Sequence, residues 1–279
     1  MKSRGTSADI ALQPCVYEAD LYPPPDAQAA PARCDHAVMR EIDELANVDD
    51  PAWPELQQAL AASAVPVRVL PADPAESSRT LLQLQVTARS VLGSLVVNTG
   101  GLLLDDGWVR VFGGGSSAKG GVPSLAQVNR FPDSFDPAWH PATGLVVGQD
   151  VLGGVFALNG HDPAAVGRPG APGQLTYFAP DTLAWEGLTM GHSAWVSWLL
   201  SGGLEQFYEG LRWPGWRAET AALTNSQGIA VYPFLWTKEA HADLAATARR
   251  PVPMREVLGV AADFARQLGS ADPGFLGEA

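Results

Sequence analysis

Apolar residues recur at helical spacing near both ends of the chain and give way to short, turn-bounded runs in its middle. In residues 36–47 Val38, Ile42 and Leu45 fall on one helical face. A second helix is expected from residue 50, with Asp50 as N-cap and Pro51 at the first helical position. VPVRVL (Val65–Leu70) reads as a strand. Asp73, with Glu76 three residues later, reads as a capping-box start for a helix to about Val86. SVLGSLVVN is a further apolar helix, expected to close on Gly100-Gly101 through a left-handed glycine.

The middle changes period. LLL, Asp105-Asp106-Gly107 and WVRVFG predict a hairpin, because Asp-Gly supplies the positive φ that a tight turn needs. Strands are predicted at Leu145–Val147, Val151–Leu158 and Gln174–Phe178, with Gly160–Gly173 as a mobile hairpin loop. Helices return at Ser193–Leu200 and Gln206–Trp216, followed by an extended GIAVYPFLW (Gly228–Trp236) and an amphipathic helix at Arg255–Leu268. Short neighbouring strands with tight turns favour an antiparallel sheet. The pattern as a whole predicts an α+β fold, a central antiparallel sheet flanked by helices. Residues 1–38, rich in Ala and Pro, read as a disordered leader or a start-site extension, and residues 39–279 as a single α+β domain.

Composition narrows the function classes. The net charge of −12 repels phosphate backbones and anionic membrane surfaces, so nucleic acid is not an expected ligand and a basic protein partner is better matched. Cys15 and Cys34 both lie in the N-terminal segment, which leaves the remainder without a cysteine zinc site or a disulfide framework. No apolar run reaches the roughly 18–20 residues of a membrane helix, and a cytoplasmic protein is expected.

Motifs that carry chemistry are incomplete. In GGGSSAKGG (residues 113–121) Lys119 is followed by glycine, not Ser or Thr, and no apolar helix opens, so a phosphate-binding loop is not formed and a flexible loop is expected. Ser116 and Lys119 fit S-x-x-K, but the companion elements of that serine chemistry are missing. The histidines His36, His140, His161, His192 and His241 show no ligand spacing, and nothing calls for a cofactor or metal. Asp150, Asp162, Asp181 and Glu186 are the carboxylates of an alternative reading, a hydrolase acting on a sugar or small ligand in a tryptophan-lined cleft.

Five of the nine tryptophans lie in residues 177–216. Trp195 and Trp198, at helical spacing, are assigned to the core. Trp213 and Trp216 flank Pro214-Gly215 beside Arg212 and Arg217, a composition favoured at interface hot spots. Trp185 and Glu186 add an aromatic and an acidic rim. The candidate binding residues are therefore Trp185, Glu186, Arg212, Trp213 and Trp216, and no catalytic residue is assigned.

NTGGLLLDDGWVRVFGGG, DVLGGVFALNG, YFAPDTLAWEGL, AWVSWLLSG, FYEGLRWPGW and QGIAVYPFLW together resemble a family of uncharacterised bacterial proteins, a domain of unknown function. The resemblance runs from about Met39 to Met254 and is most specific at residues 177–216. More distantly, the order of apolar helix, Gly-Gly-Leu hairpin, Phe-Gly-Gly-Gly and S-x-W-x-x-x-L-L helix is similar to the SUKH superfamily. That likeness implies an α+β fold and a role as an immunity protein that binds and neutralises a toxin, often a nuclease. The tail after Trp216 departs from the SUKH pattern. The expected function is a non-enzymatic binding protein of immunity or antitoxin-like type.

Overall fold

The structure, a computed structural model, describes residues 39–117, 120–141, 143–269 and 271–278. The proposed leader, residues 1–38, lies outside them. Seven antiparallel strands form one sheet in sequential order: β1 (Val67–Leu70), β2 (Gly101–Leu104), β3 (Val109–Phe112), β4 (Gly144–Asp150), β5 (Val155–Asn159), β6 (Leu175–Ala179) and β7 (Ala184–Gly187). Every residue of β2 to β6 is buried, so these strands are covered on both faces and their sequences are largely apolar without alternation, interrupted by buried polar residues such as Arg110 and Asp150. The edge strands β1 and β7 are half exposed, as edges with solvent on one side should be.

Helices α1 (Ile42–Ala46), α2 (Trp53–Ala61), α3 (Pro74–Leu84) and α4 (Val91–Asn98) pack on one another, with α3 and α4 inserted between β1 and β2. Helix α2 starts two residues later than the Asp50-Pro51 pattern predicts. Ala52 is the N-cap and Pro54 enters the first turn, where a missing N–H costs nothing. Asp73 does cap α3, accepting from the N–H groups of Ala75 and Glu76. The reciprocal arm of the capping box is absent, because Glu76 is taken by the Ser124 hydroxyl at 2.6 Å. Helix α4 ends at Thr99 in an extended conformation, not at a left-handed glycine.

The first part of the expected flexible loop 113–121, residues 113–115, is packed. Gly113, Gly114 and Gly115 are buried, and a Cβ on Gly114 would stand 2.0 Å from the Ser77 hydroxyl and 2.5 Å from the Val96 carbonyl. Glycine here permits close approach of α3 and α4, and Ala118 and Lys119 lie outside the described residues. A short helix, α5 (Leu125–Val128), follows. The predicted strand Val151–Leu158 is instead split by a turn at residues 151–154, so that Asp150 ends β4 and β5 begins at Val155. Helix α6 (His192–Leu200) lies over the sheet, with Trp195 fully buried against Phe156 at 5.1 Å between ring centres. Trp198 is only partly buried and meets Phe207 edge-on.

The predicted helix over 206–216 is two short ones, α7 (Leu204–Phe207) and α8 (Trp216–Ala221), separated by turns at Gly210 and Pro214-Gly215. A two-stranded sheet, β8 (Gln227–Tyr232) and β9 (Ala248–Pro253), encloses α9 (Lys238–Ala242) and is joined to the main sheet by the Ile229 N–H, which donates to the Val151 carbonyl at 2.7 Å. Helix α10 (Met254–Gln267) backs this hairpin. Residues 271–278 return to the main sheet and α5: Leu276 is buried and its carbonyl accepts from Gln149 of β4 at 3.2 Å, while the Glu278 N–H donates to Val128 of α5. The loop 160–173, expected to be mobile, is pinned by Arg168, which is buried and donates to the carbonyls of Thr143 and Phe275. Replacing Asp73 by Ala removes the α3 cap and is expected to cost about 0.5–2 kcal/mol in urea unfolding, with the m-value unchanged.

Candidate functional site

The β2–β3 turn, residues 105–108, places Asp105 and Asp106 at φ of 52° and 59°, a conformation Asp tolerates better than most residues. Asp105 points inward and is 2% exposed. Its two oxygens receive two arginines, Arg212 at 2.6 Å and Arg217 at 2.5 Å, and Arg217 also reaches Asp106 at 2.9 Å. The turn that the Asp-Gly pair predicts is thus also an ion-pair anchor for the 208–217 segment.

Trp108, the last residue of the turn, is fully buried and touches three rings: Tyr208 at 5.5 Å, Trp213 at 5.7 Å and Trp216 at 5.0 Å. Arg212 lies over Trp216 at 4.1 Å and over Trp108 at 5.0 Å. Arg217 covers Trp216 at 4.4 Å. Stacking of guanidinium on these rings lowers the cost of burying Arg212, whose own pKa is held below the ordinary arginine value by desolvation. Trp213 turns into the core, donating from Nε1 to Glu219 at 2.8 Å. Trp216 is left half-buried, so this ring of the cluster reaches solvent.

Beside this cluster α8 forms one wall of a polar cleft of about 260 Å³, lined by Arg68, Asp106, Arg110, Thr220 and Asn225 among others. Arg110 is buried and donates to the carbonyls of Asn225 at 2.9 Å and Gln227 at 2.6 Å. Burial pushes its pKa down to about 10, against the attraction of Asp150. The cleft lining combines arginine, threonine and asparagine side chains with one carboxylate, Asp106.

Asp150 is fully buried at the end of β4. One oxygen accepts from the N–H groups of Leu152 and Gly154 at 2.8 and 2.9 Å, the other from the hydroxyls of Tyr177 at 2.7 Å and Tyr208 at 3.0 Å. Burial raises its pKa, and the four hydrogen bonds pull the other way. A Cβ on Gly154 would stand 2.0 Å from this carboxylate, so that position admits only glycine without rearrangement. Asp162 is exposed in the 160–173 loop, and Asp181 lies at the β6–β7 turn beside Glu186, whose pKa is raised by partial burial and by Asp181. None of these four carboxylates lines the polar cleft or the apolar groove beside α10. The hydrolase alternative therefore draws no support from their placement.

A family model matches residues 42–257, described as protein of unknown function DUF2625. The chain belongs to this family. It is 39% identical over 206 residues to the uncharacterized protein YbfG of Escherichia coli K12, covering 73% of this chain and 89% of the relative. An uncharacterized protein of Haemophilus influenzae Rd is 29% identical over 197 residues, covering 71% of this chain and 83% of the relative. No solved structure gives a significant match. The matched family region contains every side chain of the Trp108 cluster and the Asp150 network.

Of the binding residues chosen from sequence, Arg212, Trp213 and Trp216 come together around Trp108. Trp185 and Glu186 sit on β7, separated from β3 by three strands. There Trp185 is half-buried, stacked on Arg168 at 4.4 Å and donating to the Pro273 carbonyl, and Glu186 is exposed. Trp108, Arg110, Tyr208 and Asp105 were not singled out as site residues. A lone arginine inside the apolar run WVRVF, and an aspartate between VVGQ and VLGG, are the signals that point to Arg110 and Asp150. Among the described residues no group of three or more His, Cys, Asp or Glu could hold a metal, and no helix is long and apolar enough to cross a membrane.

His192, at the first position of α6, is buried with neither ring nitrogen hydrogen-bonded. Burial lowers its pKa from 6.5 to about 4, so it stays neutral where the unfolded chain takes up a proton. The resulting stability is complete above pH 6.5 and is lost as pH falls toward 4, by about 3 kcal/mol. In urea unfolding at both pH values, His192→Phe is expected to flatten the acid loss by that amount. Tyr208→Phe, which removes one donor from Asp150, is expected to cost about 1–3 kcal/mol. Asp150→Ala strands two hydroxyls, two N–H groups and Arg110, and is expected to cost more, about 3–5 kcal/mol.

Proposed function

We propose that the protein is a non-enzymatic, cytoplasmic binding protein whose acidic surface engages a basic protein partner, in the manner of an immunity or antitoxin-like protein. The observation that carries this reading is the acidic stretch of residues 41–55, which runs through α1 into the start of α2. Glu41, Asp43, Glu44, Asp49, Asp50 and Glu55 are all exposed, and none is ion-paired to Lys or Arg among the described residues. One arginine, Arg40, lies within the same stretch. Carboxylates left unpaired together repel one another, and a cationic surface relieves that repulsion.

Steering by charge works at a distance and needs an anchor at contact. Trp216, clamped between Arg212 and Arg217 and backed by Trp108, has the aromatic and guanidinium composition of such an anchor. Trp185 and Glu186 on β7 form a second candidate patch. The likeness to the SUKH superfamily adds the role, neutralisation of a toxin by occupation of its basic surface.

Affinity capture of the tagged protein from its native cells, followed by titration of the purified complex, tests this reading. A stoichiometric basic partner is expected, with affinity falling roughly tenfold or more between about 50 and about 300 mM salt. Asp49→Lys with Asp50→Lys should slow association without changing the thermal midpoint appreciably. A partner bound equally well by that charge-reversed protein would overturn the acidic-stretch assignment.

A further inference from the structure

The partner surface leaves unexplained a groove of about 270 Å³ between α10 and the β8–β9 hairpin. Its floor is apolar, including Ile229, Val231, Val252 and Ala261. One wall is aromatic: Phe234 and Trp236 stack with ring centres 4.6 Å apart and planes 10° apart, and Phe264 packs against both from α10. Its volume lies just below the roughly 300 Å³ at which ligand pockets begin, so it suits a small molecule and not a folded segment.

Two charged side chains line the groove, Arg250 on β9 and Glu256 on α10. Both are exposed, and neither makes a hydrogen bond or ion pair among the described residues. Glu256 has a structural reason for its place, since it lies in the first turn of α10, where the helix dipole favours a carboxylate. Arg250 has no such reason. It is an exposed guanidinium lining an apolar, aromatic slot.

We propose that this groove binds a small organic anion, its apolar or aromatic body lying along Phe234 and Trp236 and its carboxylate received by Arg250. A planar guanidinium matches a carboxylate with two parallel hydrogen bonds, which a neutral or cationic head group cannot supply. The apolar body replaces water on a surface that no other part of the described chain covers. The site is separate from the acidic stretch and from the Trp108 cluster, and it requires no chemistry on the ligand.

The test uses the full chain and anilinonaphthalene sulfonate, an anionic aromatic dye, with decanoate, decanol and decylammonium as competitors. Two variants accompany it. Arg250→Gln removes the charge at an exposed position, and Val260→Trp fills the groove from a position 39% exposed, with circular dichroism confirming that each folds. Expected is one saturable dye site, displaced by decanoate far better than by decanol or decylammonium. Arg250→Gln should weaken dye and decanoate by about tenfold or more while leaving decanol unchanged, and Val260→Trp should abolish binding. The proposal is overturned by absence of dye binding, by binding unaffected in both variants, or by decanol or decylammonium competing as well as decanoate.

Discussion

A carboxylate cannot be taken out of water without replacing the hydrogen bonds it loses, and Asp150 meets that requirement with four donors from three places. Two are backbone N–H groups of its own turn, one is Tyr177 on β6, and one is Tyr208 beyond α7. Arg110, on the neighbouring strand, supplies the opposite charge and donates from Nη1 and Nη2 to the carbonyls of residues 225 and 227, where β8 begins. The main sheet, the α7 region and the second sheet are therefore joined at one polar point. None of its members can be lost without leaving another unsatisfied, so this region resists independent motion.

The Trp108 cluster is built on that frame. Tyr208 gives its hydroxyl to Asp150 and its ring to Trp108, so the position of the aromatic cluster follows from the polar network. Asp105 then holds Arg212 and Arg217 against Trp216 from the other side. A half-buried tryptophan fixed between two guanidiniums loses little conformational entropy on binding, which is what a contact anchor requires. The acidic stretch of residues 41–55 and the apolar groove beside α10 lie on other elements. Charge, anchor and groove are thus separable by mutation.

Much of the fold was legible because its signals are local. Asp73 before a helix, Asp105-Asp106-Gly107 between apolar runs, and Trp195 with Leu199 on α6 all appear where their patterns predict. Strands β7 and β9 were not legible. AWEG is too short and polar to read as a strand, and ARRPVP carries two arginines and two prolines. Both are paired on one side only, where polar side chains and missing N–H groups are tolerated. The Gly113–Gly115 run was misread for a related reason: glycine marks flexibility and close packing with the same letter.

The sequence by itself determined the α+β class, the central hairpin, most helix positions, the negative charge and the incompleteness of every nucleotide, serine-lysine or metal motif. It also placed Arg212, Trp213 and Trp216 as a group, since they are neighbours in the chain. Only the tertiary structure decided that Trp213 turns inward while Trp216 stays at the surface, and that Asp150 is sealed by tyrosines 27 and 58 residues away. Burial and partnership are properties of contacts between distant segments. A single residue's identity fixes what it needs, and the fold decides who supplies it.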